Sequence, residues 1–317
     1  MRRKTVLLTG SEGLIATTII KPALSDTYHL IGFDLKLGDD LGDQDSIAEK
    51  IKGIDYVIHT AAIRGPLGAP SPEAYDAVNF QGTCRLLRLA KEAGVRKFIF
   101  FSSLARYGVD SWMRNREETG PITGEDVAVP RYLPIDEDHP SILEYKNLFE
   151  WGGKWYGESK ARAEREGEAL ADERFTFISL RLTGAGEKTS KWVRRLLQLR
   201  DDARRGEPRS RKLFVYGAGG VATAGLLRNT LRASLQAELE GAQAFNVTEA
   251  ETGLTDVVRL YFPETPVADC LFGTQKLLVF LNKSGFAYEP TTLPPLPQPR
   301  RWPMLAARLR GVLGQST

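Results

Sequence analysis

The hydrophobic and polar positions in the first third of the chain alternate between two patterns. Four short runs of apolar, β-branched and aromatic residues are typical of strands buried on both faces of a parallel sheet. Between the last two runs, apolar residues recur at helical spacing over Glu73–Ala93, and Gly94 follows where a helix cap belongs. This alternation predicts an α/β fold with a doubly wound parallel sheet. The four runs are Thr5–Leu8, Leu30–Phe33, Tyr56–His59 and Lys97–Phe101.

The pattern continues with a helix from about residue 155 to 170 and a strand at Phe175–Leu180. The signals weaken after Gly184, and from Pro290 the chain is too rich in proline for regular structure. The weaker predictions are helices at Trp192–Leu199, Ala224–Leu239, Asp256–Tyr261 and Lys276–Ser284, and strands at Leu213–Val215 and Ala244–Val247.

Composition and charge narrow the class of protein. With 42% hydrophobic and 26% charged residues the chain is globular, and its net charge of +3 gives no reason to expect a nucleic-acid partner. No apolar run reaches the length of a membrane span, and the one behind the basic start is too short for a signal peptide. Cys84, Cys270 and the three histidines lack metal-site spacing. We expect a cytoplasmic protein without a metal.

A glycine-rich turn, Thr-Gly-Ser-Glu-Gly-Leu-Ile-Ala, follows the first predicted strand from Thr9 to Ala16. Gly10 permits a tight turn, Gly13 lets the backbone approach a pyrophosphate, and Ala16 lets the next helix pack closely on the sheet. The free N–H groups and the positive dipole at the start of that helix favour phosphate. The residues expected to contact a dinucleotide here are Gly10, Glu12, Gly13, Leu14 and Ile15.

Asp34 stands at the end of the second predicted strand, 24 residues past Gly10. A carboxylate at that place accepts hydrogen bonds from the adenosine ribose and repels a 2′-phosphate, which favours NAD over NADP. Lys36 weakens this distinction, because a lysine accommodates a phosphate. The alternative is that Asp34 only caps the next element.

Tyr156 and Lys160 lie four residues apart on a predicted helix, so their side chains share one face. A phenol with its ordinary pKa of about 10 is a poor base at neutral pH. A nearby ammonium and a positive nicotinamide ring lower that pKa by stabilising the phenolate. Tyr156 then removes a hydroxyl proton while a hydride leaves the same carbon. The alternative is an ordinary surface pair of tyrosine and lysine.

The ordered set of motifs resembles the extended short-chain dehydrogenase/reductases, in particular the NAD-dependent epimerase/dehydratase family with its sugar 4-epimerases. The resemblance extends from residue 4 to about 184 and is thin beyond. The matching segments are the glycine-rich turn, Asp34, Asp40–Asp43, Asp55–Ala62, Asn79–Thr83, Phe101–Gly108 and Tyr156–Lys160.

This resemblance implies a Rossmann-type fold, bound NAD and individual roles for the matching residues. Tyr156 is expected to be the acid/base, Lys160 to bind the nicotinamide ribose, and Ser103 to orient the substrate hydroxyl or carbonyl. Asn79 is expected to hold the helix that supports the active site. The other expected cofactor contacts are Asp40 and Leu41 beside the adenine, Thr60, Ala61 and Ala62 in the trough, and Ser102 next to Ser103.

The resemblance also implies how the chain is organised. Residues 1–184 are expected to bind NAD and carry the catalytic residues, with some later segments returning to this part. Residues 185–290 are expected to form a smaller substrate-binding α/β part, and 291–317 an irregular, Pro-rich basic tail. Ser103 and Tyr156 are 53 residues apart, longer than is usual in the family, so an insert at 110–129 is expected to act as a lid. A homodimer is expected as in many relatives.

The residues after Ser103 bear on the reaction. Sugar 4,6-dehydratases of the family have an Asp-Glu pair there, whereas this chain has Leu104 and Ala105, which disfavours that dehydration. The stretch from Ser103 to Tyr107 resembles the sugar 4-epimerases. We therefore expect C4 epimerisation of a sugar or nucleotide sugar through a transient keto intermediate.

Two departures leave the substrate open. Arg181–Gly186 lacks the asparagine of the family's Arg-x-x-Asn-x-x-Gly, and Gly217–Ala224 lacks its Val-x-Asp, and both segments usually contact the nucleotide. A net sugar or uronate dehydrogenase, or a ketoreductase, with an exchangeable cofactor is therefore an alternative. A non-catalytic NAD(P)-binding regulator is another. Arg209 and Arg211 are candidates for binding a diphosphate.

Overall fold

The computed structural model describes residues 2–65, 71–108, 135–146, 148, 150–186, 221–249 and 272–288. The predicted lid at 110–129, Arg209, Arg211, Cys270 and the tail at 291–317 lie outside these residues. The elements predicted at 192–199, 213–215 and 256–261 also lie outside them.

Eight strands form two parallel sheets in the described part of the chain. The main sheet has six strands in the order β2-β1-β3-β4-β5-β8, and β6 pairs with β7 in a separate small sheet. In chain order the strands are β1 (Thr5–Thr9), β2 (His29–Phe33), β3 (Tyr56–His59), β4 (Lys97–Ser103), β5 (Thr176–Leu182), β6 (Gly184–Gly186), β7 (Val221–Thr223) and β8 (Ala242–Val247).

Helices connect these strands, because parallel neighbours need long crossover connections. The first runs over residues 14–24 and is π-helical at Ala16–Ile20, and the one at residues 72–92 is π-helical at Asp76–Gly82. No described helix has the length and apolar character needed to cross a membrane. The α-helical segments are α1 (Lys21–Leu24), α2 (Gln44–Lys50), α3 (Pro72–Tyr75), α4 (Thr83–Glu92), α5 (Gly152–Leu170), α6 (Ala224–Gln236) and α7 (Gln275–Lys283).

Helices cover both faces of the main sheet, and the strands alternate their side chains between the two resulting cores. In β1, Val6 and Leu8 pack with residues 14–24, α6 and α7, whereas Leu7 packs with α2, α4 and α5. All three side chains are completely buried. A strand covered on both faces has to be apolar throughout, which is why the sequence shows unbroken runs here.

The strand order determines at which edge of the main sheet a ligand can bind. β1 pairs with β2 on one side and with β3 on the other, so the connections after β1 and β2 lead to opposite sides of β1. Such a switch point opens a crevice at the carboxyl ends of the two central strands, where ligands of open α/β sheets bind. The short segment between β2 and β3 contains the 3-10 helix Leu35–Leu37 and α2, and no further strand lies outside β2 in the described part.

The predicted fold class is confirmed, since the sheet is parallel and helices flank both its faces. The predicted strands and helices that fall on described residues are present, with α5 beginning three residues earlier, at Gly152. β8 comes from the later part of the chain but joins the main sheet beside β5.

Candidate functional site

The glycine-rich turn lies at the carboxyl end of β1, beside the end of β3. Gly10 has φ +67°, a left-handed conformation that glycine adopts without strain. A Cβ at Gly10 would lie 2.8 Å from the Ala61 nitrogen and 2.8 Å from Thr60 Oγ1. Only glycine therefore fits where the turn passes the segment predicted to line the cofactor trough.

The helix at residues 14–24 begins at this turn. The N–H groups of Leu14 and Ile15 have no acceptor among the described residues, so they are available to an anion at the positive end of the helix. Glu12 pairs with Lys21, with 2.8 Å between Oε1 and Nζ, and this hydrogen bond lowers the pKa of the carboxyl. The turn thus offers N–H groups in the way that binds phosphates in other folds.

Asp34 follows β2 and faces the turn across the crevice. Its Oδ2 accepts from the Glu12 nitrogen at 3.0 Å, and its Oδ1 accepts from the Lys36 nitrogen at 3.0 Å. Asp34 therefore caps the 3-10 helix, as the alternative interpretation predicted. Each carboxylate oxygen retains a further lone pair, so this role leaves room for a ribose hydroxyl.

A neighbouring aspartate that the sequence analysis missed holds Asp34 in place. Asp39 is buried, and its Oδ2 accepts from the Asp34 nitrogen at 2.9 Å and from Lys50 Nζ at 2.7 Å. Of the consecutive aspartates at 39 and 40, Asp40 is the exposed one, and its Oδ1 accepts from the Gly42 nitrogen at 2.7 Å. Leu41, predicted to flank the adenine, is buried in the core with α2 and α4.

A buried histidine connects β1 to the helix at residues 72–92. His59 Nδ1 lies 2.6 Å from Thr9 Oγ1, and Nε2 lies 2.9 Å from Thr83 Oγ1. The Thr83 hydroxyl donates to the Asn79 carbonyl at 2.7 Å, so it accepts from Nε2–H, and we assign the neutral tautomer on that basis. Burial lowers the pKa of His59 to about 3. The Thr9 hydroxyl also accepts from the Ala61 nitrogen at 3.3 Å, which fixes the segment after β3.

Asn79 holds the same segment after β3 at Ile63, two residues beyond Ala61. Its Oδ1 accepts from the Ile63 nitrogen at 2.8 Å, and its Nδ2 donates to the Ile63 oxygen at 3.0 Å. Nδ2 also lies 3.4 Å from Ser159 Oγ on α5. The completely buried Asn79 therefore ties the end of β3 to two helices, one of which carries Tyr156.

Tyr156 and Ser103 meet at the carboxyl end of β4. A Cβ at Gly157 would lie 2.5 Å from the Ala105 oxygen, so glycine lets α5 approach the 3-10 helix Leu104–Tyr107. The Ser103 hydroxyl caps that helix by accepting from the Ala105 nitrogen at 3.1 Å, and it lies near enough to Tyr156 to oppose the rise in the pKa of the phenol that burial causes. Two residues far apart in the sequence are thus brought close together.

Lys160 lies one turn beyond Tyr156 and is buried. Its Nζ donates to the Phe101 oxygen at 2.9 Å and lies 5.9 Å from the centroid of the Tyr156 ring. Burial lowers the pKa of Lys160 to about 7, although Glu164 opposes this shift. The ammonium group is therefore near the tyrosine ring, but its charge is costly in this buried position, and its action on the phenol stays a prediction.

The pKa of Tyr156 differs from the sequence-based expectation. Burial raises it to about 12, although the nearby Ser103 hydroxyl and the positive charge of Arg64 act to lower it. We expected Lys160 to lower the pKa of this phenol, but in the protein alone burial dominates. The Tyr156 side chain is half-buried where α5 meets the end of β4, so the surrounding protein leaves less water to solvate a phenolate there.

A charged cluster that the sequence analysis missed underlies this site. Glu164 is completely buried, and its Oε2 accepts from Arg181 Nε at 3.0 Å and Nη2 at 2.8 Å. Arg106 Nε lies 3.0 Å from the same oxygen, and the Ser102 hydroxyl donates to Oε1. Burial raises the pKa of Glu164, but the two arginines outweigh it and hold the pKa below its ordinary value.

This cluster changes the roles open to two residues singled out by the sequence. The Ser102 hydroxyl, predicted to contact the cofactor, is directed to Glu164. Arg181 is almost entirely buried, and its Nη1 donates to the Tyr107 hydroxyl at 2.9 Å. The signal for the cluster was the placement of Glu164 four residues after Lys160, on the buried face of α5.

Thr223 stands at the end of the segment that lacks the family's Val-x-Asp. Its Oγ1 accepts from the Leu226 nitrogen at 3.3 Å and so caps α6. The hydroxyl also donates to the buried Glu249, which accepts a second hydrogen bond from Tyr288.

No group of three His, Cys, Asp or Glu side chains within the described ranges could hold a metal ion.

The glycine turn, the carboxylate after β2 and the placement of Ser103, Tyr156 and Lys160 on a parallel sheet resemble those of the extended short-chain dehydrogenase/reductases. Residues 6–127 match the model of the NAD dependent epimerase/dehydratase family, which confirms the resemblance over that range. The match includes the turn, Asp34 and Ser103, and ends before Tyr156 and Lys160.

Curated relatives align with part of the chain. The UDP-glucose 4-epimerase of Vibrio cholerae is 27% identical over 205 residues, covering 59% of this chain and 54% of the relative. The 3 beta-hydroxysteroid dehydrogenase/Delta 5-->4-isomerase of Mycobacterium tuberculosis H37Rv is 32% identical over 135 residues, covering 37% and 36%. Other alignments, with two 4-epimerases from Escherichia coli O157:H7 and Methanocaldococcus jannaschii, span only 37% and 43% of those relatives.

The fold agrees with that of a solved structure over nearly the whole chain. A short-chain dehydrogenase/reductase superfamily protein from Agrobacterium tumefaciens, solved with bound NAD, superposes with a TM-score of 0.59. It is 19% identical, and the match covers 98% of each chain. At this identity the similarity establishes a common fold.

Proposed function

We propose that this protein is an NAD-dependent enzyme that oxidises and reduces a hydroxyl-bearing carbon of a sugar or nucleotide sugar. The observation that carries the proposal is the placement of Tyr156 and Lys160 on one side of α5, with Nζ 5.9 Å from the ring centroid, beside Ser103 at the edge of the sheet that also bears the glycine turn. The epimerase and dehydrogenase relatives support the same chemistry.

The residues at the crevice fit a dinucleotide. The turn at Gly10–Gly13 would hold the pyrophosphate on the N–H groups of Leu14 and Ile15, because these have no acceptor among the described residues. Asp34 would accept the adenosine ribose hydroxyls, and its charge favours NAD over NADP. Thr60, Ala61 and Ala62 would line the trough that His59 and Asn79 fix. When bound, the nicotinamide ring supplies the hydride acceptor and donor.

The chain's own residues move the proton. Tyr156 would take the proton of the substrate hydroxyl and return it to the carbonyl oxygen, while Ser103 orients that oxygen. With a pKa near 12, Tyr156 is almost entirely protonated at neutral pH in the protein alone, so little of the phenolate is present to accept a proton. Lys160, with a pKa near 7, would need to be protonated to stabilise the phenolate, and a positively charged nicotinamide would add to that effect.

C4 epimerisation is the reaction we propose. Leu104 and Ala105 stand where an acid and a base would be required for loss of water, and Leu104 is buried. Epimerisation needs only that the ketone rotate between two hydride transfers, so that the hydride returns to its opposite face. Tyr156 and Ser103 suffice for this. No additional acid is needed.

The test combines the cofactor content with a catalytic variant. After denaturation of the purified protein, the supernatant is expected to contain NAD, and a panel of nucleotide sugars, free uronic acids and a 3β-hydroxysteroid should reveal one epimerised sugar. Tyr156→Phe is expected to lower turnover at least a hundredfold while NAD remains bound. Tyr28→Phe, a buried tyrosine outside the site, serves as the control. Full turnover by Tyr156→Phe would refute the proposal.

Net dehydrogenation of a sugar or uronate is the second candidate, and one observation favours it. Arg181 is buried against Glu164, so this residue of the segment that usually contacts a nucleotide is not free to do so. A substrate without a nucleotide would fit that arrangement. Release of NADH in proportion to product would favour this candidate, whereas epimer formation without free NADH would favour the first.

We also propose that the protein is a homodimer, as the resemblance implies. A groove of about 570 Å³ lies on the outer face of the helix at residues 72–92 and α5, where Trp155, Glu158 and Arg162 face Pro72 and Asp76. Light scattering is expected to give twice the mass of the 35.2 kDa chain. A monomer at micromolar concentration would contradict this.

A further inference from the structure

Tyr75, at the end of α3, is a completely buried residue that the site as described does not use. Its ring meets the ring of Tyr156 edge to face, with 6.1 Å between centroids and 62° between planes. Edge-to-face pairs of this kind fix the relative orientation of two rings. Tyr75 therefore forms one wall against which the Tyr156 phenol rests.

The hydroxyl of Tyr75 reaches a different target. It donates to the Gly65 carbonyl at 2.5 Å, in the loop that follows β3. Gly65 has φ +61°, so the chain turns sharply at this point. Ile63 lies two residues earlier in the same loop, and Asn79 holds it through both its N–H and its C=O. Tyr75 and Asn79 come from the same helix and hold the loop at two places.

Arg64 lies between these two anchored residues and is exposed. It forms no ion pair with a carboxylate in the described part of the chain. Its positive charge acts on Tyr156 and favours the ionised phenol. A long flexible side chain would lose this effect if its backbone moved, so the anchoring of the loop determines how well Arg64 acts.

We propose that Tyr75 is a positioning residue that orients the Tyr156 ring and, through Gly65, fixes the backbone of the loop that carries Arg64. This inference rests on the proposed function, because it concerns the group that would exchange the proton. Tyr75 need not contact the substrate or the dinucleotide for this role. Its ring and its hydroxyl have separate effects, which allows them to be tested separately.

The groups that face Tyr156 come from every element packed around it. Ser103 lies near it at the end of β4, Tyr75 contacts its ring from α3, and the charge of Arg64 acts on it from the loop after β3. Lys160 lies on the same helix, with Nζ 5.9 Å from the ring centroid. Of the two cations, Arg64 is the one whose position depends on Tyr75.

The first experiment measures the pH profile of kcat/KM in the direction that oxidises the hydroxyl. A base with a raised pKa is ionised only at higher pH, so loss of the action of Arg64 moves the acidic limb upward. Tyr75→Phe and Arg64→Gln are both expected to shift it by about half to one pH unit, equal to a threefold to tenfold loss at pH 7. The double variant is expected to be no worse than Arg64→Gln alone.

The control is Tyr28→Phe, which removes one hydroxyl from another buried edge-to-face pair. Tyr28 and Tyr56 have centroids 6.3 Å apart and lie outside the site. Its profile is expected to coincide with that of the wild type. A Tyr75→Phe variant that loses thermal stability but keeps the wild-type profile would overturn the inference, as would a double variant whose effects add.

The second experiment requires no substrate, so it separates failure of this inference from failure of the proposed function. In protein with ¹³C-labelled tyrosine, the Tyr156 resonance is identified by its absence from Tyr156→Phe. Tyr75→Leu is expected to shift that resonance because the neighbouring ring is lost, whereas Tyr75→Phe is expected to leave most of the ring-current effect. An unmoved resonance in Tyr75→Leu would overturn the orienting role even if no sugar is turned over.

Discussion

Gly10 combines a left-handed backbone with close neighbours, and the two effects can be measured apart. Gly38 has φ +87°, and a Cβ added there would have no atom within 4 Å. A Cβ at Gly10 would instead lie 2.8 Å from atoms of Ala61 and Thr60. Gly38→Ala is expected to cost about 1–2 kcal/mol of unfolding free energy from strain alone. Gly10→Ala is expected to cost about 3–4 kcal/mol and to weaken NAD binding.

Urea denaturation and NAD titration of the two variants are the measurements. The costs should differ because only Gly10 stands against the segment after β3. Equal destabilisation of the two variants would show that the contact with Ala61 and Thr60 is not close enough to matter.

His59 gives a pH dependence of stability whose sign follows from its pKa. The folded value of about 3 lies below the ordinary 6.5, so the unfolded chain binds more protons between these pH values. The contribution of His59 is therefore complete above pH 6.5 and is lost as the pH falls toward 3, by up to about 1.4 kcal/mol per pH unit. His59→Gln is expected to remove this part of the slope.

Denaturation at pH 6.5, 5.5 and 4.5 measures the slope. His29→Gln, at an exposed histidine, is the matched control and is expected to keep the wild-type slope. If His59→Gln and the wild type lose stability in parallel, the buried neutral histidine is not the cause.

At the scale of elements, α5 reaches the end of β4 because of a glycine. A Cβ at Gly157 would lie 2.5 Å from the Ala105 oxygen, whereas one at Gly225 in α6 would make an ordinary contact of 3.5 Å with Tyr288. Gly157→Ala is expected to destabilise by about 1–3 kcal/mol through overpacking. It should also lower turnover at least tenfold, because it separates Tyr156 from Ser103.

Gly225→Ala provides the comparison in another helix. It is expected to stabilise by up to about 1 kcal/mol, since alanine is the better helix former. Chemical denaturation and steady-state kinetics of both variants are the measurements. Stabilisation by both substitutions would show that α5 has room at this contact.

The elements themselves were largely predictable, whereas their contacts were not. Runs such as Tyr56–His59 are local signals, and burial on both faces makes them continuous. The pairing of Glu164 with Arg181 and Arg106 joins α5, β5 and the segment after β4, so no local pattern contains it. The same is true of Tyr75, whose spacing from Tyr156 follows only from the packing of two helices on one sheet face.

At the scale of the whole molecule, a bound dinucleotide would join parts of the chain that the strand order brings together. NAD at a hundred times its dissociation constant is expected to stabilise the folded state by about 2.7 kcal/mol, seen as a higher Tm. NADP at the same concentration should raise Tm less, because Asp34 repels the 2′-phosphate. Equal shifts with both dinucleotides would show that Lys36 compensates for Asp34.

The sequence by itself determined the parallel α/β class, the glycine turn, the acidic residue after β2 and the pair of Tyr156 and Lys160 on one helix face. These depend on periodicity, on spacing and on the chemistry of single residues, all of which are local. Only the tertiary structure decided that Ser103 lies near Tyr156, that Arg181 is buried against Glu164, and that burial raises the pKa of the phenol. Contacts between distant residues and the exclusion of water arise from packing, and packing depends on all the elements at once.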